Sequence, residues 1–251
     1  MTDEPAGPGA KSARGIAVWT VTLQTISEES WPHLAALLDA KESERAEAFV
    51  FERHRRQFGA AHALKRLMLS AATQGRHAPQ DWSFQDGAFG KPHVAEPQSP
   101  HFNLSHCDGL VACAVSHCVD LGVDVEPVAD PAPLDLADHY FACPESRLLT
   151  RMEPAERPLG FFRLWTLKEA YVKARGLGLT QPLDAFAFTL KPISVHFFDP
   201  ALGDPSTWQF HQTVLGERPH VLALAWQGPR LPVHITAVTF EALLAGSGPT
   251  P

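Results

Sequence analysis

Two stretches of this 251-residue sequence place together residue types that can handle a phosphate ester and a cation. In "GVDVE", side chains alternate along a strand, so Asp124 and Glu126 share one face, about 7 Å apart at the backbone, while Val123 and Val125 take the other. Two carboxylates that close repel each other. A hard divalent cation relieves that repulsion, and Mg2+ typically takes one or two protein carboxylates, several waters and substrate phosphate oxygens. Alone, the pair fits the outward side of a half-exposed strand better than it fits a metal site, and a third acid would tip the balance. A third acid comes from "FFRLWTLKEAYVKARGLGL", Phe161 to Leu179. Advancing about 100° per residue puts Phe161, Leu164, Trp165, Leu167, Tyr171 and Val172 on one arc, with Lys168 inside it and Glu169 at its edge. Trp165 lies one turn before Glu169 and Lys173 one turn after. In an isolated helix the lysine would snorkel, and Glu169 and Lys173 would form a surface pair. Charge on an apolar face is costly unless paired, so the face is expected to abut a polar ligand or metal as well as core.

The anion side has two candidates. In "FGKPHV", Lys91 follows a glycine that lets backbone approach a ligand, and in "FNLSHCDG", Ser105 and His106 end a strand before a turn. Lys91 is equally readable as a solvated loop lysine and His106 as a capping or core histidine. Other chemistries lack their signatures. No G-x-S-x-G elbow surrounds Ser105, no Walker loop or H-E-x-x-H is present, and "GLGL" follows a helix where a dinucleotide fingerprint precedes one.

The chain length allows one large domain or two small ones. A formal charge of -7 argues against a surface given over to nucleic acid, so an anionic ligand must be gripped locally. No apolar run suffices to span a bilayer, no secretory h-region opens the sequence, and Cys107, Cys113, Cys118 and Cys143 form no C-x-x-C pair. A soluble cytoplasmic protein is expected, with no membrane or nucleic-acid partner.

The elements follow from periodicity. "GIAVWTVTL" reads as a strand and "SWPHLAALL" as a short helix capped by Ser30; helices at 41–53 and 56–73 carry Arg45, Arg53, Arg55, Arg56, Lys65 and Arg66, the most basic part of the chain. Short strands follow Trp82, with Asp108-Gly109 as a type I′ hairpin turn, then the strand "LGVDVEPV". Helices are expected near 134–140, 144–152 and 157–175, the last stopped by Gly176, and "VHFF", "WQFHQTV", "HVLALAW" and "VHITAVTF" as antiparallel strands. The order of helices then strands occurs twice. It predicts an α+β chain with disordered tails at 1–15 and 244–251 and two halves, 16–118 and 119–243, with a ligand cleft between them.

Taken in order and spacing, "FGKP", "FNLSH", "GVDVE" and "FFRLWTLKEAYVKARGLGL" resemble the Sfp-type 4′-phosphopantetheinyl transferases over roughly residues 41–190, and "ERAEAFVFERHRRQF" is similar to that family's basic N-terminal helices. The resemblance implies a pseudo-dimeric fold: two similar α/β halves, each a small antiparallel sheet packed on helices. Coenzyme A, the co-substrate, would lie between them with Mg2+ on its pyrophosphate. It also implies transfer of the 4′-phosphopantetheine arm to a serine of an apo acyl or peptidyl carrier protein, releasing 3′,5′-ADP, by a chain acting as a monomer. Carried over by position, Asp124, Glu126 and Glu169 match the metal site, and Glu169, Lys173 and Asp124 the catalytic set. Arg45, Lys91, Pro92, Ser105, His106 and Lys168 match coenzyme-binding positions, and Trp165 the aromatic beneath. Glu42 stands where some relatives have a lysine. A Mg2+-dependent phosphohydrolase and a non-catalytic coenzyme A-binding module are the competing readings.

Overall fold

The computed structural model describes residues 15–249 and residue 251; the expected N-terminal tail, apart from Gly15, and residue 250 of the C-terminal one lie outside the described residues. The chain opens with β1 (Ile16–Thr22), α1 (Ser30–Ala35), α2 (Ala40–Glu47) and α3 (Glu52–Ala72). Hairpins β2 (Phe84–Asp86) with β3 (Pro92–Val94) and β4 (His101–Cys107) with β5 (Leu110–Ser116) lead to β6 (Leu121–Pro127). Then come α4 (Leu134–Tyr140), α5 (Cys143–Arg151) and α6 (Arg157–Arg175). Strands β7 (Phe186–Leu190), β8 (Ile193–Phe197), β9 (Trp208–Leu215), β10 (His220–Gln227) and β11 (Val233–Ala237) precede α7 (Phe240–Leu244).

Two sheets, β11-β1-β5-β4 and β6-β10-β9, organise this mixed α+β fold. Period-two alternation sends each strand's side chains both ways, and each sheet is covered on both faces. Trp19, Val21, Phe102 and Val111 pack outward against Leu64 and Met68 of α3. Val221 and Ala223 of β10 pack outward against Leu164, Leu167 and Tyr171 of α6. Between the sheets, Ile16, Val18, Ala112 and Ala114 meet Val123, Val125, Leu222 and Leu224. Each fully buried Ile, Val or Leu side chain among these contributes about 1.5–3 kcal/mol.

No backbone pairing joins β4 to β6. Instead, Asn103 Oδ1 accepts the Val123 N–H at 2.8 Å and Ser105 Oγ accepts the Val125 N–H at 3.3 Å, so two polar side chains satisfy the sheet edge that the backbone leaves open. The contact that brings α6 onto β6 rests on Gly122. A Cβ there would run into the Ala170 carbonyl oxygen and the Ala174 nitrogen, so only glycine permits the approach.

Several local expectations need correction. β11 pairs parallel to β1, Ile16 opposite Val233 through Thr20 opposite Ala237, and Phe240 joins the α3 core; the last strand thus crosses into the N-terminal sheet. Helicity pauses at 48–51 and not near residue 54, because Phe51 takes an extended backbone and Arg55 reaches back to the Phe49 carbonyl. Gly109 has φ 88 while Asp108 is not in the positive region, so the hairpin turn is not type I′. Ser30 lies inside α1, bonded to Glu241 at 3.0 Å, with Glu29 at the cap. Gly176 does end α6, with φ 64. At the other terminus, α7 runs to Leu244 and backbone bonds continue to Ser247, so the segment expected as a tail begins in hydrogen-bonded structure.

Candidate active site

Asp124 comes from β6, pointing toward α6, and is 3 % exposed. Its Oδ1 accepts two hydrogen bonds, from Lys173 Nζ at 2.6 Å and from Ser105 Oγ at 2.9 Å. Lys173 also donates to Ser105 Oγ at 3.0 Å. Oδ2 is buried and has no hydrogen-bond partner. An orphaned carboxylate oxygen costs about 1–3 kcal/mol or more when charged, so its retention points to a group that the oxygen receives.

Glu126, two residues on, and Glu169, on the facing helix, are half-buried beside Asp124. Burial lifts Glu126 from 4.5 to about 7, and the Asp124 charge adds to the rise, opposed by Lys173 and by a hydrogen bond from Trp165. Burial also raises Glu169, again helped by Asp124 and opposed by Lys173. The Asp124 charge thus raises the proton affinity of both neighbours, and Glu169 adds to that of Glu126, as carboxylates do when they lie close to one another. Among the described residues, no three His, Cys, Asp or Glu side chains are already gathered into a closed ligand set. An orphan oxygen flanked by two proton-hungry carboxyl groups and a single lysine nonetheless fits a hard divalent cation, whose oxygen donors are of this kind. Trp165 backs the acids, stacked on Phe161 at 5.8 Å with Tyr140 edge-on at 6.4 Å.

Lys173 makes its ion pair with Asp124 and not with Glu169, contrary to the surface-pair reading. His106 lies on β4 beyond Ser105; its edge reaches solvent, yet packing around the ring, then the charges of Lys173 and His62, hold it below the ordinary imidazole value. Pro92 and Lys91 border a recess that also takes in His93, His101 and Asp120. Arg45 is exposed on α2 with no partner among the described residues.

Two lysines assigned to the coenzyme are spent within the fold. Lys168 is fully buried and gives its three protons to Glu145 Oε2 and to the Leu183 and Phe186 carbonyls, each at 2.7 Å. An ammonium group has no fourth donor, so this side chain locks α6 to α5 and β7 and is not presented to a ligand. Lys91 reaches Asp120 at 2.6 Å and the Leu121 and Ala174 carbonyls at 3.0 and 3.2 Å. The basic N-terminal helices are partly consumed too. Glu42 Oε1 accepts from Lys65 at 2.5 Å and His62 at 2.8 Å, and its Oε2 from Arg66 at 2.7 Å and the Asp39 N–H at 3.1 Å.

Sequence reasoning missed Gly122, Glu145 and His62. The signals were a glycine inside a strand, and a glutamate three residues after Asp39 with His62, Lys65 and Arg66 on one turn of α3.

Comparison with known proteins points one way. A family model described as the 4′-phosphopantetheinyl transferase superfamily matches residues 120–225. The 4′-phosphopantetheinyl transferase HetI of Nostoc sp. is 33% identical over 181 residues, 70% of this chain and 75% of HetI. The 4′-phosphopantetheinyl transferases ffp of Bacillus subtilis and Sfp of Bacillus subtilis (strain 168) are 28% and 26% identical, each over 87% of this chain and 95% of the relative.

Proposed function

The chain belongs to the Sfp-type 4′-phosphopantetheinyl transferase family, and from that premise we infer that Asp124, Glu126 and Glu169 hold the metal on which its reaction depends. As a member of this family it transfers the phosphopantetheine arm of coenzyme A to a carrier protein. The acceptor we assign is a serine hydroxyl, and the leaving group 3′,5′-ADP. The single observation that carries the metal reading is the unpartnered, buried Asp124 Oδ2 beside two carboxyl groups of raised proton affinity. Mg2+ is the cation we propose, and when bound it would neutralise the pyrophosphate oxygens and orient the phosphorus under attack.

The chain's own residues supply the rest. Lys173, half-buried and already beside Asp124, balances part of the negative charge and lies where a phosphate oxygen would be drawn. Glu169 is the candidate base for the acceptor hydroxyl, since burial keeps its proton affinity above that of a solvated carboxylate. Arg45, Ser105, His106 and Pro92 are the coenzyme contacts we retain, while Lys91 would need to leave Asp120 to serve as one. Trp165 holds Glu126 by a hydrogen bond and is itself stacked on Phe161. Phosphoryl transfer needs chiefly positioning and charge stabilisation, which such a constellation offers.

We further propose two related halves, 16–118 and 119–243, the last strand of the second pairing with the first strand of the first, and action as a cytoplasmic monomer on carrier proteins, without membrane or nucleic acid. No helix among the described residues is long and apolar enough to cross a membrane. Intact-mass measurement of an apo carrier incubated with coenzyme A, with Mg2+ or with EDTA, tests the reading. The arm should appear on the carrier with Mg2+ and not with EDTA; equal transfer in EDTA overturns the metal assignment. Free phosphopantetheine with an unmodified carrier would indicate a hydrolase.

A further inference from the structure

We propose that His62 is a further contact of coenzyme A, one that takes up a proton from solvent in order to hold the 3′-phosphate beside Arg45 and His106. The proposal rests on the coenzyme reading above. The metal site accounts for the pyrophosphate and leaves the 3′-phosphate monoester, close to a dianion at neutral pH, to be held elsewhere. Glu42, which stands where some relatives have a lysine, repels it, and Lys65 and Arg66 are buried against that carboxylate. His62 is differently placed. Its Nδ1 lies 2.8 Å from Glu42 Oε1 and 3.3 Å from Lys65 Nζ. A carboxylate held far below its ordinary range only accepts and an ammonium only donates, so the shorter contact decides: Nδ1 carries the proton and donates to Glu42. Nε2 then carries the lone pair, and it has no hydrogen-bond partner among the described residues. The ring is stacked on Phe58 at 3.9 Å, which fixes its plane, and its side chain keeps 18 % exposure. Its charge acts on His106 of β4, and Arg45 lies three residues after Glu42 on the adjoining surface of α2. The two coenzyme contacts and His62 thus meet where α2, α3 and β4 come together. A neutral ring offers a phosphate oxygen only a lone pair; the charged ring donates from Nε2 while Glu42 steadies it through Nδ1. Glu42 of α2 favours that charge, whereas burial, Lys65 and Arg66 of α3 and any charge on His106 of β4 oppose it, and the free protein holds His62 below 6.5. An arriving dianion tips this balance, so binding the 3′-phosphate and taking up the proton are coupled.

The test counts protons by calorimetry on the purified protein in EDTA, at about pH 7.5, in buffers of low and high ionisation enthalpy. Coenzyme A and dephospho-coenzyme A, which lacks the 3′-phosphate, are titrated into wild type, His62→Asn, His62→Gln and His106→Ala. Wild type should take up protons with coenzyme A and far fewer with dephospho-coenzyme A. His62→Asn should lose most of that uptake and bind coenzyme A about tenfold more weakly, the scale of a charge-assisted hydrogen bond, while holding dephospho-coenzyme A within about twofold. His62→Gln, which keeps an amide donor and cannot titrate, should behave alike and serves in place of the asparagine variant if that variant does not fold. Coenzyme A binding to wild type without proton uptake overturns the proposal. So does uptake that survives in His62→Asn or His62→Gln and disappears in His106→Ala, which would give the proton to His106 alone. A wild type that binds neither coenzyme fails the coenzyme reading itself, and this proposal with it.

Discussion

The α2–α3 cluster around Glu42 and the β6–α6 cluster around Asp124 are built from the same materials and finish differently. Glu42 receives four hydrogen bonds, two on each oxygen, with Lys65, Arg66 and His62 among the donors. Burial alone would raise its proton affinity, but the His62 bond and the Lys65 charge and bond overturn that and hold it far below the ordinary carboxylate range. Asp124 receives two bonds on one oxygen and none on the other, and its neighbours Glu126 and Glu169 have raised proton affinities. Saturation makes a brace; an acceptor left over beside excess negative charge makes a site. Burial and charge alone do not separate the two, whereas counting lone pairs does.

Breaking the brace should have the largest effect, and it should fall on stability. Glu42→Gln leaves Lys65, 2 % exposed, buried without its counter-charge and Arg66, 0 % exposed, with Asp39 alone, and breaking a buried pair in this way costs about 3–5 kcal/mol. Denaturant unfolding measures it. Lys168→Met should cost a similar amount by stranding Glu145, with coenzyme affinity of the folded fraction retained. A stable Lys168→Met protein that had lost its coenzyme affinity would return Lys168 to the ligand site.

Asp124→Asn and Glu169→Gln invert the pattern. Glu169→Gln relieves repulsion among the acids, so its melting temperature should hold or rise, whereas Asp124→Asn also gives up the Lys173 ion pair and should melt lower; in both, single-turnover transfer should fall by about two to three powers of ten as charge stabilisation is lost. If Glu169→Gln folds and transfers at the wild-type rate, the residue leaves the site and the contrast between the clusters narrows to Asp124 alone.

Arg45 sharpens the comparison at lower amplitude. It lies on the same helix as Glu42, yet exposed and outside the saturated network. Arg45→Ala should shift stability within about 0.5 kcal/mol and weaken coenzyme A binding by about 1.5–3 kcal/mol, the worth of a hydrogen bond to a charged group. Calorimetry reads both the affinity and its salt dependence, and unchanged affinity removes Arg45 from the anion site.

The sequence made some of this legible and hid the rest for identifiable reasons. Asp124, Glu126 and Glu169 came from a strand period and a helix period, both local rules, and their charges act on one another across β6 and α6. Gly176 was readable as a helix stop because φ > 0 is a local demand. Lys168 was not readable, because its partner Glu145 is distant in sequence, and the choice between ligand and buried ion pair is made by tertiary packing. The parallel pairing of β11 with β1 is likewise non-local: alternation identifies a strand without naming its neighbour. Ser105 lay between these cases, since its position on the strand was legible while the three bonds that commit its hydroxyl were not.

The smallest expected effect is a difference of sign with pH between the two clusters, measured without metal. Glu42 binds its proton more weakly when folded than the unfolded value of 4.5, so its ionised form stabilises the fold at neutral pH, and that contribution is lost as pH falls below about 4.5. His62 acts in the same direction. Burial, then the Lys65 and Arg66 charges, outweigh Glu42 and hold the imidazole below 6.5, so the unfolded chain takes up the proton first and stability declines as pH drops under that value. Glu126 does the opposite. Its folded value is about 7 against 4.5 unfolded, so the folded protein binds a proton that the unfolded chain does not, and acidification from about 7 toward 4.5 stabilises its surroundings. Each tenfold difference in proton affinity between the folded and unfolded chain is worth about 1.4 kcal/mol, reduced by solvent near a half-buried group. Amide exchange in EDTA, corrected for the intrinsic pH dependence, should show β6 and α6 gaining protection between pH 7 and 4.5 while α2 and α3 lose it. The same sign in both regions would mean that the acids of β6 and α6 are already balanced within the fold, and would erase the distinction between the brace and the site.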